Sequence, residues 1–76
     1  MTELQKLKAS IINGDVEQAV KETQAALKNK IAPQTLLNKG LLPGIEFVGE
    51  QFAKGQMYFP ELVMAGEAMK GAMEIL

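Results

Sequence analysis

The stretch GEQFAKGQMYFPEL, residues 49–62, carries the chain out of one helix and into the next. Phe52 continues a spacing of three or four residues that begins at Leu41 or Leu42 and passes through Ile45 and Val48, the spacing of one face of an α-helix. Gly55 supplies a residue able to adopt the left-handed conformation that closes such a helix. Pro60 then opens another, because a first-turn proline lacks only an N–H that would have no partner there. The residue before a proline is biased towards an extended backbone, which places Phe59 at the bend. Phe47, Phe52, Tyr58 and Phe59 are all the aromatic residues of the protein, so every one lies in or beside this elbow.

Working outward, Leu62, Gly66, Met69, Met73 and Leu76 follow at steps of four and three and predict a narrow seam packed against a neighbouring helix. Upstream, Thr2 and Gln5 form a capping-box pattern, and Leu4, Leu7 and Ile11 recur at helical spacing until Asn13-Gly14, predicting a helix over about residues 3–12. Asp15 is a second N-cap with Gln18 at the box position. Val16, Ala19, Val20, Thr23, Ala26 and Leu27 trace the buried face of that helix to about Asn29, and Glu17 and Lys21 pair at i, i+4 on its outer face. Between the two hairpins, Pro33, Thr35, Leu36 and Leu37 suggest a short helix stopped by Gly40, and Pro43 opens the next. No strand pattern of period two persists. The expected fold is all-α, an antiparallel four-helix bundle with one additional short helix, and residues 1–76 form one domain.

Composition narrows the chemistry. The 76 residues carry a net charge of −1, with eight lysines, no arginine, no cysteine and no histidine. Acids and bases are interleaved, so no basic stripe addresses a phosphate backbone, and nucleic acid is not expected as a partner. Thiolate nucleophiles, disulfides, imidazole acid–base chemistry and the usual zinc ligand sets are excluded together. The apolar runs reach only three or four residues, too short for a signal-peptide core or a membrane span. With a polar, helix-like start at Met1, a cytoplasmic location is expected.

Glu46 and Glu50 sit at i, i+4, with Glu61 across the elbow. Acid–base work would need these carboxylates desolvated and close, whereas their phase sets them opposite the apolar seam, on a solvated face. A di-iron carboxylate site would need Glu-x-x-His motifs, which this chain cannot form. The glycines match no phosphate-binding loop. Gly44 and Gly49 lie inside a helix, where each costs about 1 kcal/mol relative to alanine. A close helix approach or contact with another molecule should offset that cost. Met57, Met64, Met69 and Met73 enrich the last third in side chains suited to core filling or to an adaptable surface.

Two readings of the elbow remain. In one, Tyr58 staples onto Val63 while Phe52 and Phe59 cap the core. In the other, Phe52, Phe59 and Leu62 converge as an exposed apolar plate for a partner, each worth about 1.5 to 3 kcal/mol when withdrawn from water.

The segments GD-x-E-x-A (Gly14 to Ala19), Ala32-Pro33 and LLPGIEFVGEQFAKGQMYFPELVMAGEAMKGAMEIL (Leu41 to Leu76) resemble the helical cap domain of corrinoid proteins. These are the cobalamin-binding proteins of methanol, methylamine and glycine-betaine methyltransferase systems and the matching module of cobalamin-dependent methionine synthase. The resemblance covers essentially the whole chain and is densest in PG-x-x-x-VG-x-x-F-x-x-G-x-x-[YF]-x-P-E-L. It implies a non-catalytic bundle preceding a Rossmann-like cobalamin domain and shielding the upper face of methylcobalamin. It also implies that Phe52, Phe59 and Leu62 face the cofactor, by their positions three after Gly49, directly before Pro60 and two after it. The methionine synthase module has leucine where Phe59 stands, so the plate differs in shape here.

The family's cobalamin domain binds cobalt from below through the histidine of D-x-H-x-x-G, and this chain has no histidine. The resemblance therefore implies a cap without its cofactor-holding half, a domain excised from a longer corrinoid protein, which by itself holds cobalamin weakly or not at all. Its implied partners are that cobalamin domain and methyltransferase subunits. The competing expectation is a small interaction module without cofactor, a homodimer joined through Phe52, Met57, Tyr58 and Phe59.

Overall fold

The computed structural model describes residues 2–76, and local interactions set several of its helix boundaries. Helix α1 spans Glu3–Ile12. Its capping box is complete: the Gln5 N–H donates to Thr2 Oγ1 at 3.2 Å and the Thr2 N–H donates to Gln5 Oε1 at 3.1 Å, satisfying donors that the first turn leaves free. Gly14, at φ +66, ends the helix. Its N–H donates to the Ile11 carbonyl and that of Asp15 to the Ser10 carbonyl, each at 3.0 Å, the paired bonds of a left-handed C-terminal cap.

Helix α2, Val16–Lys28, starts where the Asp15 carboxylate accepts the Gln18 N–H at 3.1 Å. It closes in the same manner as α1, through Lys30 N–H to Leu27 and Ile31 N–H to Ala26. Here, however, a lysine occupies the left-handed position, at φ +67, which strains a residue bearing a Cβ. Lys30→Gly is expected to stabilise the bundle by about 1 kcal/mol, read as a higher urea midpoint at unchanged m.

The short helix α3, Pro33–Leu36, does not stop at Gly40. It widens into a π turn over Leu37–Leu41 and runs directly into α4, Leu42–Ala53. The Leu42 N–H reaches back five residues to the Leu37 carbonyl. Pro43 offers no N–H, and its ring would press on a carbonyl one turn earlier, so a wider turn accommodates it without breaking the helix. Gly40 is needed for packing instead: a Cβ there would lie 3.3 Å from Leu7 Cδ2. Helix α5, Phe59–Ile75, completes the chain.

The two hairpins, α1–α2 and α4–α5, stack on one another. Gly40 lies beside Leu4 and Leu7 and Gly44 beside Lys8 and Ile11, so α4 follows α1 in the same direction. Gly14 lies against Met64 and Ala65, and Gly71 against Val16 and Val20, so α5 likewise follows α2. Within each hairpin the helices are antiparallel. The result is an all-α four-helix bundle of 37 × 19 × 18 Å. Its core joins Leu7, Ile11, Ala19, Ala26, Leu36, Leu41, Ala68 and Ala72.

The buried face of α5 differs from the expected seam. Ala65, Ala68 and Ala72 are fully buried, Leu62 and Met69 only partly, while Gly66, Met73 and Leu76 are exposed. Small side chains let α5 approach the α1–α2 hairpin closely, so contact is made by the alanine stripe rather than by the larger residues beside it. Gly44 shows the same close approach at α1: an added Cβ would sit 3.0 Å from Ile11 Cβ and 3.2 Å from the Lys8 carbonyl oxygen. Gly44→Ala is expected to lower stability by about 1 kcal/mol net, because overpacking of 1 to 3 kcal/mol exceeds the gain in helix propensity; thermal or urea unfolding reads it.

Among the described residues, Ser10 and Thr23 are buried polar residues. The Thr23 hydroxyl donates to the Ala19 carbonyl at 2.8 Å, and the Ser10 hydroxyl meets the Glu22 carboxylate, tying α1 to α2. The Glu17–Lys21 pair forms at 3.2 Å on the exposed face of α2 and contributes little beyond helix propensity.

Candidate functional site

The elbow between α4 and α5 is held by backbone bonds. Gly55 adopts φ +74; its N–H donates to the Phe52 carbonyl at 3.0 Å and the Gln56 N–H to the Gln51 carbonyl at 2.8 Å. After this cap the chain turns through Met57 to Tyr58, which is extended at φ −84, ψ 156. Glu61 caps the start of α5, its Oε1 accepting the Tyr58 N–H at 2.9 Å. The extended residue is thus one earlier than the proline rule suggested, and Phe59 already opens the helix.

These anchors set Phe52, in the last turn of α4, against Phe59, in the first turn of α5. Their ring centroids are 6.4 Å apart and the planes are tilted by 58°, a favourable aromatic geometry. Neither ring enters the core: Phe52 is 39% exposed and Phe59 64%. Tyr58 is 80% exposed and Val63 is exposed as well, so the expected staple between them is not made. Leu62, three residues after Phe59 on the same helix, is half-buried. The structure thus brings Phe52 and Phe59 together as an exposed pair with Leu62 beside them along α5. Phe47 is also exposed but lies five positions from Phe52, on another side of α4.

The surroundings supply little acid–base or metal chemistry. Glu46 and Glu50 are exposed on α4, and Glu61 serves as a helix cap. Among the described residues no group of three or more His, Cys, Asp or Glu side chains is placed to hold a metal ion, and no helix is long and apolar enough to cross a membrane. A shallow groove of about 570 Å³ lies beside the N-terminal half of α5, lined by residues that include Ile12, Asn13, Met57, Pro60 and Met64. Sequence reasoning did not anticipate it, since it forms only where the α1–α2 turn meets α5.

Exposed apolar side chains gathered at one end of a small bundle are a common feature of surfaces that meet a partner. A family model described as a B12 binding domain matches residues 3–76. Monomethylamine corrinoid protein 1 of Methanosarcina mazei is 39% identical over 71 residues, which cover 93% of this chain and 33% of that protein. A corrinoid protein of Desulfitobacterium hafniense is 36% identical over 76 residues, covering 100% of this chain and 35% of that protein. The solved structure of the Methanosarcina barkeri monomethylamine corrinoid protein superimposes with a TM-score of 0.95 at 31% identity, over 97% of this chain and 35% of that one. The chain spans about a third of the length of these relatives. With the match running from the first helix to the last residue, the chain belongs to the family of B12 binding domains.

Proposed function

We propose that this chain is the helical cap of a corrinoid protein, shielding the upper face of methylcobalamin while a methyl group passes between a substrate-specific methyltransferase and an acceptor. The observation that carries this reading is the exposed Phe52–Phe59 pair, set at the elbow by a helix cap on each side, in a chain of the B12 binding family. Leu62 extends the same surface along α5. The residues suit the group: exposed apolar side chains can lie against the face of a large macrocycle.

The bound cobalamin would supply the cobalt–carbon bond that carries the methyl group. This chain's own residues would do something simpler. Phe52, Phe59 and Leu62 exclude water and solutes from that face, and the rigid bundle positions them as a unit. When a methyltransferase must reach the cobalt, the cap moves aside as a body, a domain motion gated by partner contacts. No residue of the chain is assigned acid–base or nucleophilic work. The affinity for cobalamin and the contacts that select a methyltransferase would rest with a Rossmann-like cobalamin domain and partner subunits.

The test is a graft. This chain replaces the matching third of the Methanosarcina barkeri protein, which its fold permits, and protection of methylcobalamin from photolysis is compared with and without Phe52 and Phe59. A second reading uses the same exposure: without a cofactor, the pair would join two copies of the chain. Sedimentation of the 76-residue chain at increasing concentration separates them, since a dimer that survives dilution and is lost on removing both rings favours the second.

A further inference from the structure

Two glycines inside helices have no explanation within the chain. A Cβ added at Gly40, Gly44 or Gly71 would approach Leu7, Ile11 or Val20 at 3.3, 3.0 or 3.1 Å, so tight packing accounts for those three. At Gly49 in α4 and Gly66 in α5 an added Cβ meets nothing within 4 Å, and both positions are exposed. Nor does backbone conformation require glycine there, since the glycines of positive φ are Gly14 and Gly55. Alanine would favour both helices, yet both positions are bare.

Their placement suggests why. Gly49 lies one turn before Phe52 on α4, and Gly66 one turn after Leu62 and two turns after Phe59 on α5. Each therefore borders the aromatic pair on its own helix. We infer that Gly49 and Gly66 form the floor of the platform, where the flat macrocycle carried on Phe52 and Phe59 comes against bare helix backbone. This rests on the cap reading above and assigns two further positioning residues to it. A macrocycle broad enough to span both helices would meet a protruding methyl group at either position, and the added Cβ would hold it away from the rings.

Gly49→Ala and Gly66→Ala separate this role from a structural one, because the two effects run in opposite directions. In the isolated 76-residue chain each variant should denature at a higher urea concentration. In the graft each should raise the photolysis rate of methylcobalamin roughly threefold as the uncovered population grows. Unchanged photolysis in the glycine variants, with faster photolysis when Phe52 and Phe59 become alanine, would overturn the inference and leave the cap reading standing. Unchanged photolysis in all of them would remove both. Lower stability of the alanine variants would show that the glycines serve the fold. Loss of a dimer of the isolated chain on Gly66→Ala would identify a second copy, not a macrocycle, as the occupant.

Discussion

Replacing Gly14 with alanine is expected to remove about 3 kcal/mol of stability, the largest loss expected at any of the chain's glycines. Two costs act at one position. The backbone sits at φ +66, where a side chain costs about 1 to 2 kcal/mol. The added Cβ would also stand 2.7 Å from Met64 Cβ and 3.2 Å from the Met64 carbonyl carbon. These are not the far end of a flexible side chain but the start of one and the backbone of α5, so relief requires moving that helix away from the α1–α2 turn. Overpacking of this kind costs about 1 to 3 kcal/mol. A domain of this size has of order 4 to 11 kcal/mol in total, so a substantial part of it is lost. Urea unfolding followed by circular dichroism measures the effect, and a midpoint within error of the parent would show that the α1–α2 turn is not clamped beneath α5. Met64→Ala, which leaves Met64 Cβ in place, should not rescue the variant.

Removing both rings with Phe52→Ala and Phe59→Ala is expected to act on the other side of the ledger, leaving the fold and changing protection of the cofactor. The rings are 39% and 64% exposed and lie tilted against one another at 6.4 Å. Their loss should cost about 2 to 4 kcal/mol of aromatic pairing and residual burial, comparable to Gly14→Ala, so retention of the fold is checked by circular dichroism before photolysis is read. In the graft, the photolysis rate of bound methylcobalamin should rise about tenfold or more, equivalent to a cap-closing equilibrium weakened by about 1.4 kcal/mol. That is a modest fraction of what two covered aromatic side chains contribute. A rate equal to the parent's would return Phe52 and Phe59 to a purely structural account. Leu62→Ala is less clean as a test, because Leu62 is half-buried and its removal disturbs the bundle as well as the plate.

The contrast between the two experiments separates residues that hold the bundle from residues that face outward, and it tracks what could be read without coordinates. The capping pairs Thr2–Gln5 and Asp15–Gln18 were legible because they act within three residues of one another. The stops at Gly14 and Gly55 were legible for the same reason. The stop expected at Gly40 was not observed, because its glycine answers to Leu7 on another helix and not to the local chain. On α5, periodicity selected the larger residues Leu62, Met69, Met73 and Leu76 as the buried seam. The core took Ala65, Ala68 and Ala72, since alanine reads as neutral in an apolar pattern but is the residue that allows two helices to approach.

At the elbow, helix phase gathered Phe52, Phe59 and Leu62 but could not choose between a core cap and an open plate. Both readings use the same spacing, and they differ only in whether a neighbouring helix covers the rings. Sequence by itself determined the four main helices, most of their ends and the clustering of every aromatic side chain at one bend, because caps, prolines and left-handed glycines act over a few residues. Only the tertiary structure decided that the hairpins stack with α4 along α1 and α5 along α2, that alanines and Gly44 make the contacts, and that Phe52 and Phe59 stay in water. Those outcomes depend on how closely helix surfaces fit one another, and that fit is set by residues far apart in the chain.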